Sequence, residues 1–169
     1  LSILKPVFKD NGTVTAGNSS GINDGASTLL VCDEATAQKN NWKPLASMTR
    51  WASVGCDPNF MGLGPVYAIK KLIEQGQQKL GDFEFIELNE AFAVQSIACI
   101  RELDLQSKYV NTHGGAIAIG HPIGSSGARI LTHVAHRINR GETDKGLASL
   151  CVGGGMGVAV ALEAYKSAV

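Results

Sequence analysis

The final stretch of the chain, GLASLCVGGGMGVAVALEAY (residues 146–165), sets two apolar runs on either side of GGGMG. A strand apolar on both faces belongs in the interior of a sheet, with material packed above and below it. Two such runs joined by a tight glycine turn predict a terminal hairpin. Upstream, candidate strands alternate with candidate helices. Together these features predict an α/β layered fold with a mixed sheet.

The alternation is visible segment by segment. Residues 1–25 are turn-rich, with Asp10-Asn11-Gly12 and Asn18 to Gly21 as turn signals. From Ala26, ASTLLVCDEATAQKNN predicts a short apolar strand and then a polar helix ending near Asn40. PLASMTRWASVG, from Pro44, carries β-branched and aromatic residues in partial alternation and predicts a strand, with CDPNFMGLG a loop. Pro65 suits the first turn of a helix, with Val66, Ile69, Leu72 and Ile73 on its buried face and Gly76 to close it. FEFIEL (83–88) predicts a strand. Asn89 to about Leu103 predicts a helix burying Phe92, Ala93, Ile97 and Ile100. A last helix carries Ile130, Leu131, Val134 and Ile138 and ends at Gly141.

Several function classes are disfavoured early. The 15 basic and 15 acidic residues balance, so no bulk field draws nucleic acid or an anionic membrane. Cys32, Cys56, Cys99 and Cys151 are widely spaced without a CxxC pair, which predicts free thiols in a reducing compartment. No apolar run reaches membrane-spanning length and no signal peptide leads the chain, so a cytoplasmic location is expected, or an organelle matrix in a eukaryote. GGGMGV has Val158 where a dinucleotide fingerprint needs its third glycine, and GHPIGSSG lacks the phosphate-loop lysine. His133 and His136 predict helix-surface positions. Nothing resembles a metal-ligand cluster.

GGAIAIGHPIGSSGAR (114–129) sets one imidazole, His121, between a glycine and a proline. Glycine permits close backbone approach and proline fixes a dihedral, so the stretch is crowded and stiff. Three residues at element edges have two readings each. Asn89 is a favoured helix N-cap, or a carboxamide that fixes a water. Cys151 is a small buried apolar residue, or a thiol that serves as base or nucleophile beside glycine N–H groups. His121 fixes a turn, or is an oriented acid/base group.

TVTAGNSSGINDGAS, NEAFA, NTHGGAIAIGHPIGSSGAR and CVGGGMG, in this order and spacing, resemble the thiolases. The chain resembles their C-terminal portion essentially from end to end, and GINDGAS with GGGMG resembles the biosynthetic, acetoacetyl-CoA type. The resemblance implies a thiolase-like layered α/β fold, this chain forming a C-terminal half whose mixed sheet is packed between helices. It implies a Claisen condensation of two acetyl-CoA to acetoacetyl-CoA and CoA, or the reverse thiolysis. No permanently bound cofactor is implied, and coenzyme A thioesters are the substrates. His121 matches the histidine that activates the acyl-carrying cysteine and helps bind the thioester oxygen. Asn89 matches the asparagine that holds an oxyanion-hole water, and Cys151 the acid/base acting on the α-proton. Gly153 matches a glycine whose N–H serves the second oxyanion hole. Ala16 and Ser20 match positions lining the pantetheine channel, and Ala91 and Phe92 match pocket wall.

One part of the family pattern has no counterpart here. The acyl-carrying cysteine of thiolases lies in their N-terminal half, and Cys32 and Cys56 sit outside its context. The expectation is therefore a chain inactive alone. Residues 1–44 would complete an N-terminal half carried elsewhere, and 45–169 would form the C-terminal domain. That half or subunit, and assembly as a homo-oligomer (dimer or tetramer), are the expected protein partners; nucleic acid and membrane are not. A non-catalytic subunit or interaction module on the same fold is the other reading.

Overall fold

The computed structural model describes residues 1–166. Its regular elements run α1 (Glu34–Lys39), β1 (Ser47–Gly55), α2 (Gly64–Gly76), β2 (Phe85–Leu88), α3 (Ala93–Glu102), α4 (Ala116–Ile119), α5 (Ser126–Asn139), β3 (Lys145–Val152) and β4 (Met156–Glu163). The strands form one sheet in the order β1-β4-β3-β2. β4 pairs antiparallel with both β1 and β3, while β2 joins β3 in parallel. The sheet is mixed, as the sequence predicts.

Two apolar clusters cover its two faces. On one side Val66, Ile69 and Leu72 of α2 pack with Ile86, Leu88, Leu147, Ala159 and Ala161, and Cys99 of α3 joins them. On the other, Ile130, Val134 and Ile138 of α5 pack with Phe85, Ala148 and Leu162. Strand alternation explains the division: Phe85 and Ile86, or Leu147 and Ala148, point to opposite sides. Each fully buried Leu or Ile contributes on the order of 2 kcal/mol.

The terminal hairpin is held at its tip. Gly155 has φ +89°, and a Cβ there would stand 2.4 Å from the Cys56 carbonyl oxygen, so only glycine fits. Cys56 N–H donates to the Gly155 carbonyl at 2.7 Å, tying the tip to the end of β1.

Three local expectations are corrected. Residues 26–31 form no strand; Leu30 and Val31 stand 75% and 65% exposed, because among the described residues no strand lies beside them to pair with. α2 closes on Gln77 in the left-handed conformation (φ 50°), with Gly76 still inside the helix. α3 begins at Ala93, later than predicted, and buries Gln95, Ser96 and Cys99, leaving Ile97 47% exposed. That helix rests partly on the 3-10 turn Pro58–Leu63, where Cys99 Sγ donates to the Gly62 carbonyl at 3.3 Å. Of the expected unit 45–169, the last three residues lie outside the described residues.

Candidate active site

The site grows from the C-terminal edge of the parallel β2–β3 pair, where open α/β sheets commonly bind ligands. Leu88 faces Ser149 in the register, and the Asn89 N–H donates to the Ser149 carbonyl at 2.9 Å. On its outer edge β2 is closed by a side chain. Asn111 accepts from Leu88 N–H at 2.9 Å and donates to the Leu88 carbonyl at 2.7 Å, substituting for a neighbouring strand. This fixes where the 111–122 loop begins.

Asn89 is not the N-cap that its position between strand and helix suggests. The cap residue of α3 is Phe92, without a side-chain hydrogen bond. Asn89 is instead 1% exposed, with its carboxamide committed on both ends. Arg129 Nη2 donates to Oδ1 at 3.2 Å, and Nδ2 stands 3.3 Å from His121 Nε2.

Gly120, at φ +97°, turns the chain so that His121 N–H meets Asn23 Oδ1 at 2.9 Å. Ile22 bridges His121 in parallel. On the far side of the ring, His121 Nδ1 lies 2.6 Å from Ser126 Oγ, which donates to the Pro122 carbonyl at 3.0 Å. These contacts assign the proton. Arginine only donates, so Asn89 presents Oδ1 to Arg129 and its NH₂ to the imidazole. Nε2 is then the acceptor, Nδ1 carries the hydrogen, and the buried Ser126 donates its own hydrogen bond to the Pro122 carbonyl. Burial first, then the Arg129 charge, lower the His121 pKa below the ordinary histidine value. The result is a neutral imidazole with its basic lone pair turned toward Asn89.

Cys151 lies near the end of β3, beyond Ser149 and on the same sheet edge as Asn89. It is buried, and burial raises its thiol pKa, with Cys56 adding to the rise and a backbone hydrogen bond opposing it. By strand alternation it shares the α2-side face of Leu147, whereas Asn89 shares the α5-side face of Phe85. The structure therefore brings Asn89 and His121 into direct contact and puts Cys151 at the same edge, from the other side of the sheet. Gly153 is exposed in the hairpin turn just past it.

The turn-rich N-terminal segment is stitched to this edge. Ser20 N–H donates to the buried Ala91's carbonyl at 3.0 Å, and Ala93 N–H to the Asn18 carbonyl at 3.0 Å. Ser19 bridges Phe92, whose ring meets Phe8 edge-on at 5.9 Å. Ser20, Ala91 and Phe92 thus gather beside Asn89. Ala16 is exposed in the turn before them.

Residues 42–164 match the family described as thiolase, C-terminal domain, and residues 1–35 match thiolase, N-terminal domain. The chain belongs to the thiolase family. It is 51% identical over 166 residues to a probable acetyl-CoA acyltransferase of Staphylococcus aureus, covering 98% of this chain and 42% of that protein. Among solved structures, Bacillus anthracis acetyl-CoA acetyltransferase superposes with TM-score 0.94 at 46% identity, over 97% of this chain and 42% of that one. Human mitochondrial 3-ketoacyl-CoA thiolase in complex with CoA gives TM-score 0.90 at 43% identity, over 98% and 42%. The chain therefore spans about two fifths (42%) of the length of the relatives it matches. The layered fold with its sheet between helices is the thiolase fold.

Several residues of this candidate site escape a reading of the sequence. Ser126 and Arg129 sit in the same glycine-rich motif as His121, five and eight positions on, and that proximity is the one local signal they offer. Glu87 and His133 give none. His133 is not the free surface residue its helix pattern suggests: its Nδ1 lies 3.1 Å from Oε1 of Glu87, a carboxylate 3% exposed. Burial pushes the Glu87 pKa up to about 7, against the pull of Arg129 and Arg137. His136, by contrast, is exposed as expected.

A cavity of ≈ 600 Å³ lies elsewhere, between residues 28–48 and α5, and includes none of Asn89, His121 or Cys151. Its walls are largely apolar side chains such as Leu30, Trp42, Leu131 and Leu162. Cys32, Asp33, Glu34 and His136 also line it. Among the described residues, no three His, Cys, Asp or Glu side chains are grouped to hold a metal ion, and no helix is long and apolar enough to cross a membrane.

Proposed function

We propose that this chain supplies the acid/base half of a thiolase active site that condenses two acetyl-CoA to acetoacetyl-CoA and CoA, or runs the reverse thiolysis. The observation that carries the reading is the buried Asn89–His121 contact at 3.3 Å, oriented by Arg129 on one end and Ser126 on the other. A neutral imidazole with Nδ1–H anchored and Nε2 unprotonated can serve a nucleophilic thiol as its base once the thiol displaces Asn89 Nδ2 from that lone pair. His121 Nε2 takes the proton of the acyl-accepting cysteine. The thiolate attacks the thioester carbonyl, and CoA leaves carrying the Cys151 proton as the acyl-enzyme forms, which leaves Cys151 a thiolate and His121 protonated.

In the condensation step the Cys151 thiolate removes the α-proton of acetyl-CoA. The resulting enolate carbon attacks the acyl-enzyme carbonyl, and the cysteine leaves as thiolate. Each anion needs donors aimed at it. Asn89 Nδ2, with a water it holds, and His121 once protonated at Nε2 serve one oxyanion. The Gly153 N–H, exposed in the hairpin turn, serves the other. The raised pKa of Cys151 makes it a thiol at rest and a strong base once ionised. Ala16 and Ser20 line the pantetheine channel, Ala91 and Phe92 form pocket wall, and coenzyme A thioesters are substrates with no permanently bound cofactor.

The acyl-accepting cysteine comes, in this reading, from a thiolase N-terminal half outside these 169 residues. Residues 1–44 complete that half and 45–169 form the C-terminal domain. Exposed Ile3, Phe8 and Ile22 are then surface that the rest of a homo-oligomeric thiolase covers. The test is thiolysis of acetoacetyl-CoA by CoA, with the chain alone and after adding a separately produced N-terminal half. No turnover alone and acetyl-CoA formation with both is expected. Robust turnover by the chain alone overturns the divided site, and no turnover from a formed complex overturns acyl transfer.

A further inference from the structure

The side of β2 that faces α5 and the helix itself meet as a three-rung ladder. Phe85, Glu87 and Asn89 recur every second residue and so share one side of the strand's line. Arg129, His133 and Arg137 recur every fourth residue along one stripe of α5. Two strand residues advance roughly 6.7 Å and four helical residues roughly 6 Å, so the two rows stay in step over three rungs. The Arg137 guanidinium lies over the Phe85 ring at 4.0 Å. His133 Nδ1 meets Glu87 Oε1 at 3.1 Å. Arg129 Nη2 donates to Asn89 Oδ1 at 3.2 Å.

The middle rung is the odd one. Glu87 is the one carboxylate of the ladder, and its Oε1 and the Arg129 Nε are both buried without a hydrogen bond. The two groups sit on neighbouring rungs without an ion-pair contact, and the Arg129 charge pulls the Glu87 pKa down while Glu87 pulls the Arg129 pKa up. On the outside, His113 Nδ1 stands 3.2 Å from His133 Nε2, so an exposed imidazole touches the far side of the same rung. Arg137 also pulls on Glu87 but is held by Glu142 and by Thr112 Oγ1, and Arg140 is held by Glu142.

We propose that Glu87 and His133 are positioning residues for the Asn89–His121 pair, acting through Arg129. Glu87 holds the guanidinium at the strand edge, the guanidinium holds Asn89 Oδ1, and the amide is thereby kept with its NH₂ toward His121 Nε2. His133 sets how strongly Glu87 pulls. The proposal rests on the reading of Asn89 and His121 as the acyl-transfer pair, but the contacts themselves are independent of turnover.

The test is long-range ¹H–¹⁵N NMR of the four histidines in the 169-residue chain, across pH, in wild type, Glu87→Gln and His133→Gln. The charged and titratable groups around the rung are His113, Arg129, Arg137 and Arg140, and all are retained in both variants. Wild-type His121 is expected to show a single neutral tautomer, Nδ1 protonated and Nε2 bare. In Glu87→Gln its two nitrogen shifts should converge as the Asn89 amide loses its fixed orientation. His133→Gln should shift them the same way by less. A backbone spectrum checks that each variant is folded. Unchanged His121 shifts in folded Glu87→Gln overturn the proposal; if that variant does not fold, unchanged shifts in His133→Gln do so. Failure of acyl transfer would leave this readout intact, so the two ideas stand or fall separately.

Discussion

Residues 26–31 and residues 145–152 present nearly the same local signal, a short apolar run near glycine, and meet opposite fates. The second is the buried strand β3, paired on both sides. The first is irregular and exposed. Apolar pattern marks a capacity for strand, and a strand exists only where another backbone satisfies its N–H and C=O groups. A chain can therefore display every sign of an element whose partner lies elsewhere.

The widest separation between the two regions should appear in stability. Leu147→Ala removes a fully buried side chain and is expected to cost about 2–5 kcal/mol, whereas Leu30→Ala should stay within about 0.5 kcal/mol. Urea unfolding of both variants measures this. Equal costs would mean that residues 26–31 pack as a true element.

A second effect sharpens the contrast from inside the body. The Glu87 pKa rises from an ordinary 4.5 to about 7 on folding, so the folded chain binds its proton more tightly. Its contribution is full below pH 4.5 and is lost as pH climbs toward 7, amounting to about 3 kcal/mol. His121 and His133 act oppositely: their lowered pKa values make folding less favourable as pH falls below the usual histidine range. The unfolding free energy of wild type relative to Glu87→Gln should therefore fall between pH 4.5 and 7. A pH-independent difference would show that the carboxylate is not desolvated.

The smallest effect probes one contact between the N-terminal segment and the imidazole loop. Asn23→Ala removes the acceptor of His121 N–H and should cost about 1 kcal/mol, read as a lower melting temperature and faster amide exchange at His121. No change at His121 would mean that the body alone shapes that loop.

Much of the architecture was legible because periodicity and burial agree in the body. Of the α5 stripe, Ile130, Val134 and Ile138 are buried as read and Leu131 is half-buried, and the glycine-linked hairpin forms. The site was legible in part. His121 stands out through its neighbours, Gly120 and Pro122. Asn89 was visible by position but with a second, wrong explanation available, since a strand–Asn–helix sequence fits a cap equally well. The rest was hidden for a physical reason. Glu87, Arg129 and His133 meet through a strand period of two laid against a helix period near four, and no local window contains both. Ser126 matters through one hydrogen bond that depends on how the loop folds back.

The most direct test is a crystal structure of the chain with acetyl-CoA. The thioester oxygen should accept from Asn89 Nδ2, directly or through one water, and reach the bare His121 Nε2 only through a water that donates to both. A thioester settled in the apolar cavity between residues 28–48 and α5, with the Asn89–His121 contact untouched, would contradict the account.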